Sequence, residues 1–344
     1  MITIDGSHGE GGGQIIRSSL GLAMMTGRET EIINVRAGRK KPGLQKQHLT
    51  AVKAAVKACA AEVEGDRLGS TRIAFKPGPI TPGEFHFNIG SAGSTSLVFQ
   101  TILPALLVAS GESTVTIEGG THNQFAPPFD FLARCYLPIL ARMGPRVEAT
   151  LHRHGFYPAG GGRVTYRVVP SKTIGPIRLT ERGSIQRRSA KILIAKIPEH
   201  VAQNERRVIL GRDGWKPSDV EIIEIGNSAG PGNAVMLAAE ANSVTEICSA
   251  FGSRGVPAKQ VARDAIREFE TYLGLNVPVG EHLADQLLLP MAIGAYQGTG
   301  GGEFLTGPLS LHTQTHIELI RLLLDVEINV TQDGEQNRIE VIAK

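Results

Sequence analysis

Three stretches of the chain repeat one layout: a small-residue loop, an apolar helix, a polar loop, a second helix and a closing pair of strands. The first runs from Gly9-Glu10-Gly11-Gly12-Gly13-Gln14 into Ile15 to Met25, then from Arg36 to His48 into Leu49 to Ala60, with strands near Arg72 to Phe75. The second runs from Gly90-Ser91-Ala92-Gly93-Ser94 into Leu97 to Ala109, then from Gly119 to Pro128 into Phe129 to Met143. Its strands are Arg146 to His152 and Arg163 to Val169. The third passes from Gly280-Glu281-His282-Leu283-Ala284-Asp285-Gln286 into Leu287 to Tyr296, and from His312-Thr313-Gln314-Thr315 into His316 to Leu324. It closes with a hairpin, Val326 to Val330 and Arg338 to Ile342, around Asp333-Gly334. Residue identity between the units is low, so the repeat rests on order and periodicity. One such unit cannot bury its apolar face alone, which forces the copies to share a core.

Residues 178–276 break the pattern. Ser189 to Ile197 reads as a strand, His200 to Leu210 as a helix, and Ala234 to Ala241 as a second strand after Val220 to Gly226. Ala258 to Leu273 places Val261, Ala265, Ile266, Phe269, Tyr272 and Leu273 at helical spacing. The expected fold class is therefore α/β. A body of three repeats occupies residues 1–177 plus 277–344, and a small α/β domain is inserted at 178–276. With 41% hydrophobic and 20% charged residues, 344 residues suffice for both cores.

Composition excludes several classes. Three cysteines, Cys59, Cys135 and Cys248, are odd in number and far apart, which argues against a disulfide framework and for a reducing, cytoplasmic setting. Met1 to Asp5 lacks the basic flank and apolar core of a signal peptide. The longest apolar tract, Leu97 to Ala109, is interrupted by Gln100 and Pro104 and is too short to span a bilayer, so no membrane partner is expected. Net charge is only +3, yet Arg28, Arg36, Arg39, Lys40, Lys41, Lys46 and Lys53 cluster in one segment. Such a cluster is either a solvated turn or the footprint of a phosphate-bearing ligand. Aromatics are 5% of the chain, too few for a long base-stacking surface.

The standard nucleotide signatures are missing. No G-x-x-x-x-G-K-[ST] occurs, and Gly9 to Gly13 matches a dinucleotide fingerprint only loosely. His312 and His316 admit two readings. On one helix face they have zinc-ligand spacing, but no third ligand accompanies them. Alternatively His312 precedes a helix that begins near Thr315, where free N–H groups attract phosphate and keep an imidazole neutral and nucleophilic.

The opening Asp5-Gly6-Ser7-His8-Gly9-Glu10-Gly11-Gly12-Gly13-Gln14-Ile15-Ile16-Arg17-Ser18 resembles that of the RNA 3′-terminal phosphate cyclases. So do, in the same order, Arg36 to His48, Gly90 to Ser94, His154 to Gly162, Leu283 to Leu287 and His312-x-x-Thr315. The resemblance covers essentially the whole chain. It implies a three-repeat body related to the C-terminal domain of a translation initiation factor and to the enolpyruvyl transferases, with a small insert. It also implies an ATP-dependent ligase acting on RNA 3′-phosphate ends, with ATP and a divalent metal (magnesium or manganese) as cofactors.

By resemblance, His312 is the nucleophile that takes AMP on Nε2. Gln100, Pro127, His282, Leu283, Ala284, Asp285 and Gln286 form the nucleotide pocket, with Asp285 contacting adenosine. Arg17, Arg36, Arg39, Gln47 and His48 grip the RNA phosphate, and Glu10 holds the metal. Bacterial members of the family often have tyrosine where this chain has His282, whose imidazole can still stack on adenine but covers less apolar surface. Glu10 also has a purely structural reading, charge balance against Arg17 or Arg39. A homodimer is left open. Two other readings share the body plan. A non-catalytic RNA-binding relative would lack His312, and an enolpyruvyl transferase would carry six units and no insert.

Overall fold

The computed structural model describes residues 1–344 as a mixed α/β protein with four four-stranded sheets. The first sheet is built from β1 (Ile2–Asp5), β2 (Thr30–Ile33), β3 (Glu62–Glu64) and β4 (Ile73–Lys76), with α1 (Gly13–Thr26) and α2 (Lys46–Cys59) between them. The second holds β5 (Glu84–Asn88), β6 (Ser113–Gly119), β7 (Arg146–Arg153) and β8 (Gly162–Val169). Its helices are α3 (Thr95–Leu107), α4 (Phe129–Phe131) and α5 (Leu137–Arg142), the last two joined by a π turn at Leu132–Tyr136.

β9 (Ile177–Leu179) starts the third sheet and is followed by a fourth, self-contained one. That fourth sheet comprises β10 (Ile185–Ala195), β11 (Val220–Glu224), β12 (Gly232–Ala241) and β13 (Thr245–Phe251), covered by α6 (His200–Leu210) and α7 (Ala258–Leu275). The chain then resumes with α8 (Glu281–Tyr296), β14 (Gly302–Thr306), α9 (Leu311–Leu323), β15 (Val326–Asp333) and β16 (Gln336–Ala343).

Three sheets share one order and one set of pairings: β1-β2-β4-β3, β5-β6-β8-β7 and β9-β14-β16-β15. In each, the first two strands are parallel, which a helical crossover requires, and the last two are antiparallel neighbours. Their helices pack into one cluster of 70 buried apolar residues, while the fourth sheet and its helices centre on a separate cluster of 16. Arg178 and Leu179 pair with Glu303 and Phe304, so the chain leaves the third sheet two residues later than composition alone suggests.

The long helices lie where apolar periodicity predicts them, but several begin earlier. α2 starts at Lys46 because Gln45 and His48 form a reciprocal capping box. α8 starts at Glu281, so the run His282 to Gln286 is its first two turns and not a loop. α9 starts at Leu311, four residues before the expected Thr315, because the Ser310 hydroxyl accepts the Thr313 N–H at 3.2 Å. His312 therefore sits inside the first helical turn. The short strands β1, β2, β3, β5, β9 and β14, at three to five residues each, have too little alternation to read from sequence.

One face of the fourth sheet adds Leu193, Ala195, Ala234, Met236, Ala238 and Ile247 to the large apolar cluster, and polar contacts tie it further. Lys191 pairs with Asp130 at 3.0 Å, Arg134 with Glu240 at 2.8 Å, and buried Glu246 accepts the Gly280 N–H at 2.9 Å, just ahead of α8. Burial pushes the Glu246 carboxyl up to about 8, and nearby Glu268 pushes in the same direction. Because the folded pKa is raised, this group's contribution is fully present below the unfolded carboxylate value and is lost as pH rises through about 8. Glu246→Gln, which keeps an acceptor for Gly280, should therefore flatten that decline. Denaturant midpoints at pH 5 and pH 8 check this: the variant should gain on the native chain only at the higher pH.

Candidate active site

The N-terminal turns of five helices meet at one place. Gly12 caps α1 without a side-chain bond, so the first N–H groups of that helix remain free. A Cβ on Gly13 would lie 2.7 Å from His48 Nε2 in the first turn of α2 and 3.1 Å from an Arg17 terminal nitrogen. The Gln47 side-chain Oε1 accepts the Ser94 N–H at 2.6 Å, joining α2 to α3. Thr315 Oγ1 of α9 accepts the Glu10 N–H at 3.1 Å just ahead of α1. Only glycine fits at position 9, where φ is +54° and a Cβ would lie 2.2 Å from Thr315 Oγ1. Helix N-termini carry partial positive charge, and five together make a strong anion-attracting field.

Asp285, in the second turn of α8, is the hub. Its Oδ1 accepts from the Gln14 amide at 2.5 Å and meets His316 Nδ1 at 2.9 Å, while its Oδ2 faces His312 Nδ1 at 3.7 Å. The last contact is electrostatic, longer than a hydrogen bond. Burial by itself would raise the Asp285 carboxyl, but His316 and His312 beside it hold it well below the usual carboxylate range. His316 is buried and fixed from its other side, Nε2 lying 3.0 Å from the Ser18 hydroxyl. His312 is the half-exposed imidazole of the pair, with its Nδ1 toward Asp285 and its Nε2 away from it.

Arg17 stands beside this hub, with His48 and then Arg36 next to it. The Arg17 guanidinium is pulled down to about 10 by burial, against the attraction of Asp285. His48 is held neutral, at about 3, by burial and then by the charges of Arg36 and Arg17. Its Nδ1 accepts the Gln45 N–H at 3.2 Å, so the proton is on Nε2, which is a donor beside the first turn of α1. Arg36 is turned inward to its own loop, where one terminal nitrogen donates to the Lys41 and Gly43 carbonyls at 2.6 and 2.8 Å.

Between α1, α3 and α8 lies a small cleft, open to solvent at its mouth. Leu103, Leu107, Tyr136, Leu289 and Ile293 form the apolar end, and Gln14, Arg17, Gln100, Asp285, Gln286 and His316 the polar one. Two in-helix prolines, Pro104 and Pro290, line it as well. Gln100 donates to the Gln286 side chain across the cleft.

A family model for RNA 3′-terminal phosphate cyclase matches residues 8–330. A relative from Koribacter versatilis, named RNA 3′-terminal phosphate cyclase, is 44% identical over 339 residues, covering 98% of this chain and 94% of its own. One of the same name from Salmonella agona is 45% identical over 344 residues, covering 100% and 98%. The chain belongs to the RNA 3′-terminal phosphate cyclase family. The resemblance read from the glycine-punctuated motifs is thereby established, and with it the expectation of an enzyme of this family.

The cyclase-family residues expected from sequence divide by position. Asp285, Gln286, Gln100, Arg17 and His312 come together at the hub and cleft, with His48 and Gln47 on the adjoining helix α2. Pro127 contributes its carbonyl to the Ser96 hydroxyl at 2.6 Å in the loop alongside α3. Leu283 and Ala284 are core residues with almost no exposure, so they hold α8 in place and offer no side chain to the cleft. His282 points outward, 63% exposed, toward Glu268 at 3.5 Å.

Glu10 is paired with Arg39, whose guanidinium also donates to the Glu10 carbonyl at 3.0 Å. Its Oε2 is nevertheless buried without a partner. Nowhere do three or more His, Cys, Asp or Glu side chains converge as a metal cage. A hard cation bridging a triphosphate needs only one or two carboxylates, so the orphaned Glu10 oxygen fits that role. Two partners were missed from sequence: Gln14, and His316 as a clamp on Asp285. The i,i+4 spacing of His312 and His316 was the available signal, but it points to a shared carboxylate as readily as to a metal.

Proposed function

We propose that this chain uses ATP to convert an RNA 3′-phosphate end into a 2′,3′-cyclic phosphate through AMP carried on His312. The observation that carries this reading is His312, with Nδ1 toward a buried carboxylate, at the meeting point of five helix N-termini in a cyclase-family chain.

With its proton on Nδ1, toward Asp285, His312 presents an Nε2 lone pair. Nε2 attacks the α-phosphorus of ATP, a P–N bond forms, and the bond to pyrophosphate breaks. Glu10 would hold the divalent ion, which when bound would supply charge neutralisation at the triphosphate. The RNA 3′-phosphate oxygen, gripped by Arg17 and the His48 Nε2–H, then attacks that phosphorus and releases the imidazole. Finally the neighbouring 2′-hydroxyl attacks the activated 3′-phosphorus, loses its proton, and expels AMP. A phosphate monoester has no good leaving group until AMP is attached, and the 2′-hydroxyl is already held at high effective molarity.

Arg17, Arg36, Arg39, Gln47 and His48 are assigned to the RNA end, and the guanidinium fork of Arg17 suits a terminal phosphate. Few of these groups reach bases, so sequence preference beyond the end itself should be weak. Three sheets of common order support reading residues 1–177 plus 277–344 as a three-repeat body, and the separate core of the fourth supports an inserted domain over 178–276. No helix is long and apolar enough to cross a membrane, and the three cysteines are buried and free.

An RNA ending in a 2′-deoxy-3′-phosphate is expected to accumulate as the adenylated species, whereas its 2′-hydroxyl counterpart goes on to the cyclic end. Denaturing electrophoresis resolves the products, and cyclisation of the deoxy end would overturn this chemistry.

A further inference from the structure

Two large side chains on adjoining loops have no packing role. Phe125 is 92% exposed and Tyr157 is 77% exposed. Phe125 also has φ of +62°, a left-handed conformation that disfavours a bulky residue. A ring that gains nothing from burial, held on a strained backbone, points to a ligand rather than to folding. Single exposed apolar residues are ordinary; two on loops joined by a backbone bridge are not.

The loops that carry them are braced against the segment that leads into α3 and, through it, against the first turn of α2. His122 and Phe156 pair in a backbone bridge, three residues before Phe125 and one before Tyr157. The Asn123 amide donates to the Ala92 carbonyl, the Gly120 N–H to the Gly93 carbonyl at 2.7 Å, and a Cβ on Gly160 would lie 2.9 Å from Ala92 Cα. The same 90–94 segment is bonded to Gln47 through Ser94 and to Lys46, whose ammonium reaches the Gly90 carbonyl at 3.1 Å. Behind the loops, His122, His154 and Phe156 form a contiguous ring cluster with centroids 5.1 to 6.1 Å apart, so the floor is stiff. Exposed Lys46 and Arg153 border the patch and suit a phosphodiester backbone.

We propose that Phe125 and Tyr157 form a two-ring platform on which the last bases of the RNA strand stack while its 3′-phosphate enters the site. This rests on the RNA-end cyclase reading and deepens it. Stacking is blind to base identity, since every base has a π face, so the platform binds the strand without reading its sequence. It also fits a chain poor in aromatics, because two rings suffice for one or two nucleotides.

The test uses the full chain, Phe125→Ala, Tyr157→Ala and the double variant, with an RNA 3′-phosphate whose last base is 2-aminopurine. Native protein should quench the fluorophore on binding, and the variants should lose that quenching. KM for the RNA should rise on the order of 5- to 100-fold per ring, while AMP loading from ATP without RNA stays within about twofold of native. An RNA lacking its last two bases should bind native and variant proteins with nearly equal affinity. Phe125→Gly should lose RNA affinity like Phe125→Ala yet melt at a higher temperature, because glycine relieves the positive φ.

Unchanged quenching and unchanged KM in the double variant would overturn the platform. A dimer in sedimentation that the double variant breaks, with RNA binding intact, would overturn it too and assign the rings to a second copy. Quenching that depends on the rings in a protein that forms no cyclic end would leave the platform standing and remove the cyclase reading instead.

Discussion

His312→Ala protein mixed with α-³²P-labelled ATP and a divalent metal is expected to retain no label, where the native chain carries an acid-labile one. Phosphoramidates hydrolyse in acid, whereas phosphoesters of serine or tyrosine largely survive it, so lability identifies the bond. Cyclisation should fall by at least about 10³-fold, because loss of a nucleophile removes the covalent route and leaves only binding. Folding should survive: His312 is half-exposed in the first turn of α9, and Ser310 continues to cap that helix. No label on either protein while ATP demonstrably binds would remove the covalent step and favour an RNA-binding role for the chain, whereas label on both would remove His312 as its bearer.

Asp285→Asn is expected to be nearly as damaging to activity and far more so to stability. The amide oxygen can still accept from Gln14 and meet His316, but the new NH₂ faces the His312 imidazole where a carboxylate oxygen stood. His312 then loses the charge that favours a proton on Nδ1 and a lone pair on Nε2. Comparable carboxylate-to-amide changes behind a histidine cost about 10⁴-fold, so a loss on the order of 10²- to 10⁴-fold is expected. Removing one partner from a buried charged group typically destabilises by about 3–5 kcal/mol.

The pH dependence of this loss has a definite sign. The Asp285 carboxyl is depressed in the folded state, so its stabilisation is complete above the ordinary aspartate value and fades as pH falls below about 4. Native and Asp285→Asn proteins should therefore differ fully in denaturant midpoint at pH 7 and converge on acidification. A constant difference down to the lowest accessible pH would mean that packing, not charge, is what the substitution removes.

The long helices and the closing hairpin were readable from the chain because their signals are local. Apolar spacing of three to four residues survives in any context, and Asp333-Gly334 lies at the reversal of direction between β15 and β16. The glycine-punctuated motifs were readable for a related reason. Gly9 must approach Thr315 and Gly13 must approach His48 more closely than any Cβ allows, so those positions constrain the sequence strongly. Helix starts were less legible. Ser310 and the Gln45–His48 box are ordinary polar residues until their hydrogen bonds are seen.

The site itself divides along the same line. Residue types and their order along the chain were sufficient to assign the family and to single out His312 and the basic segment as candidates. Only the tertiary structure decided which side chains meet. Gln14 and Asp285 lie 271 positions apart, and Ser18 and His316 lie 298 apart. They touch because helices from the two ends of the chain pack with their first turns together, and no local pattern encodes that distance. Packing likewise assigned Leu283 and Ala284 to the core and turned His282 outward, although all three adjoin Asp285 in sequence. A helix presents neighbouring residues to different faces, so adjacency in the chain says which element a residue belongs to and not what it faces.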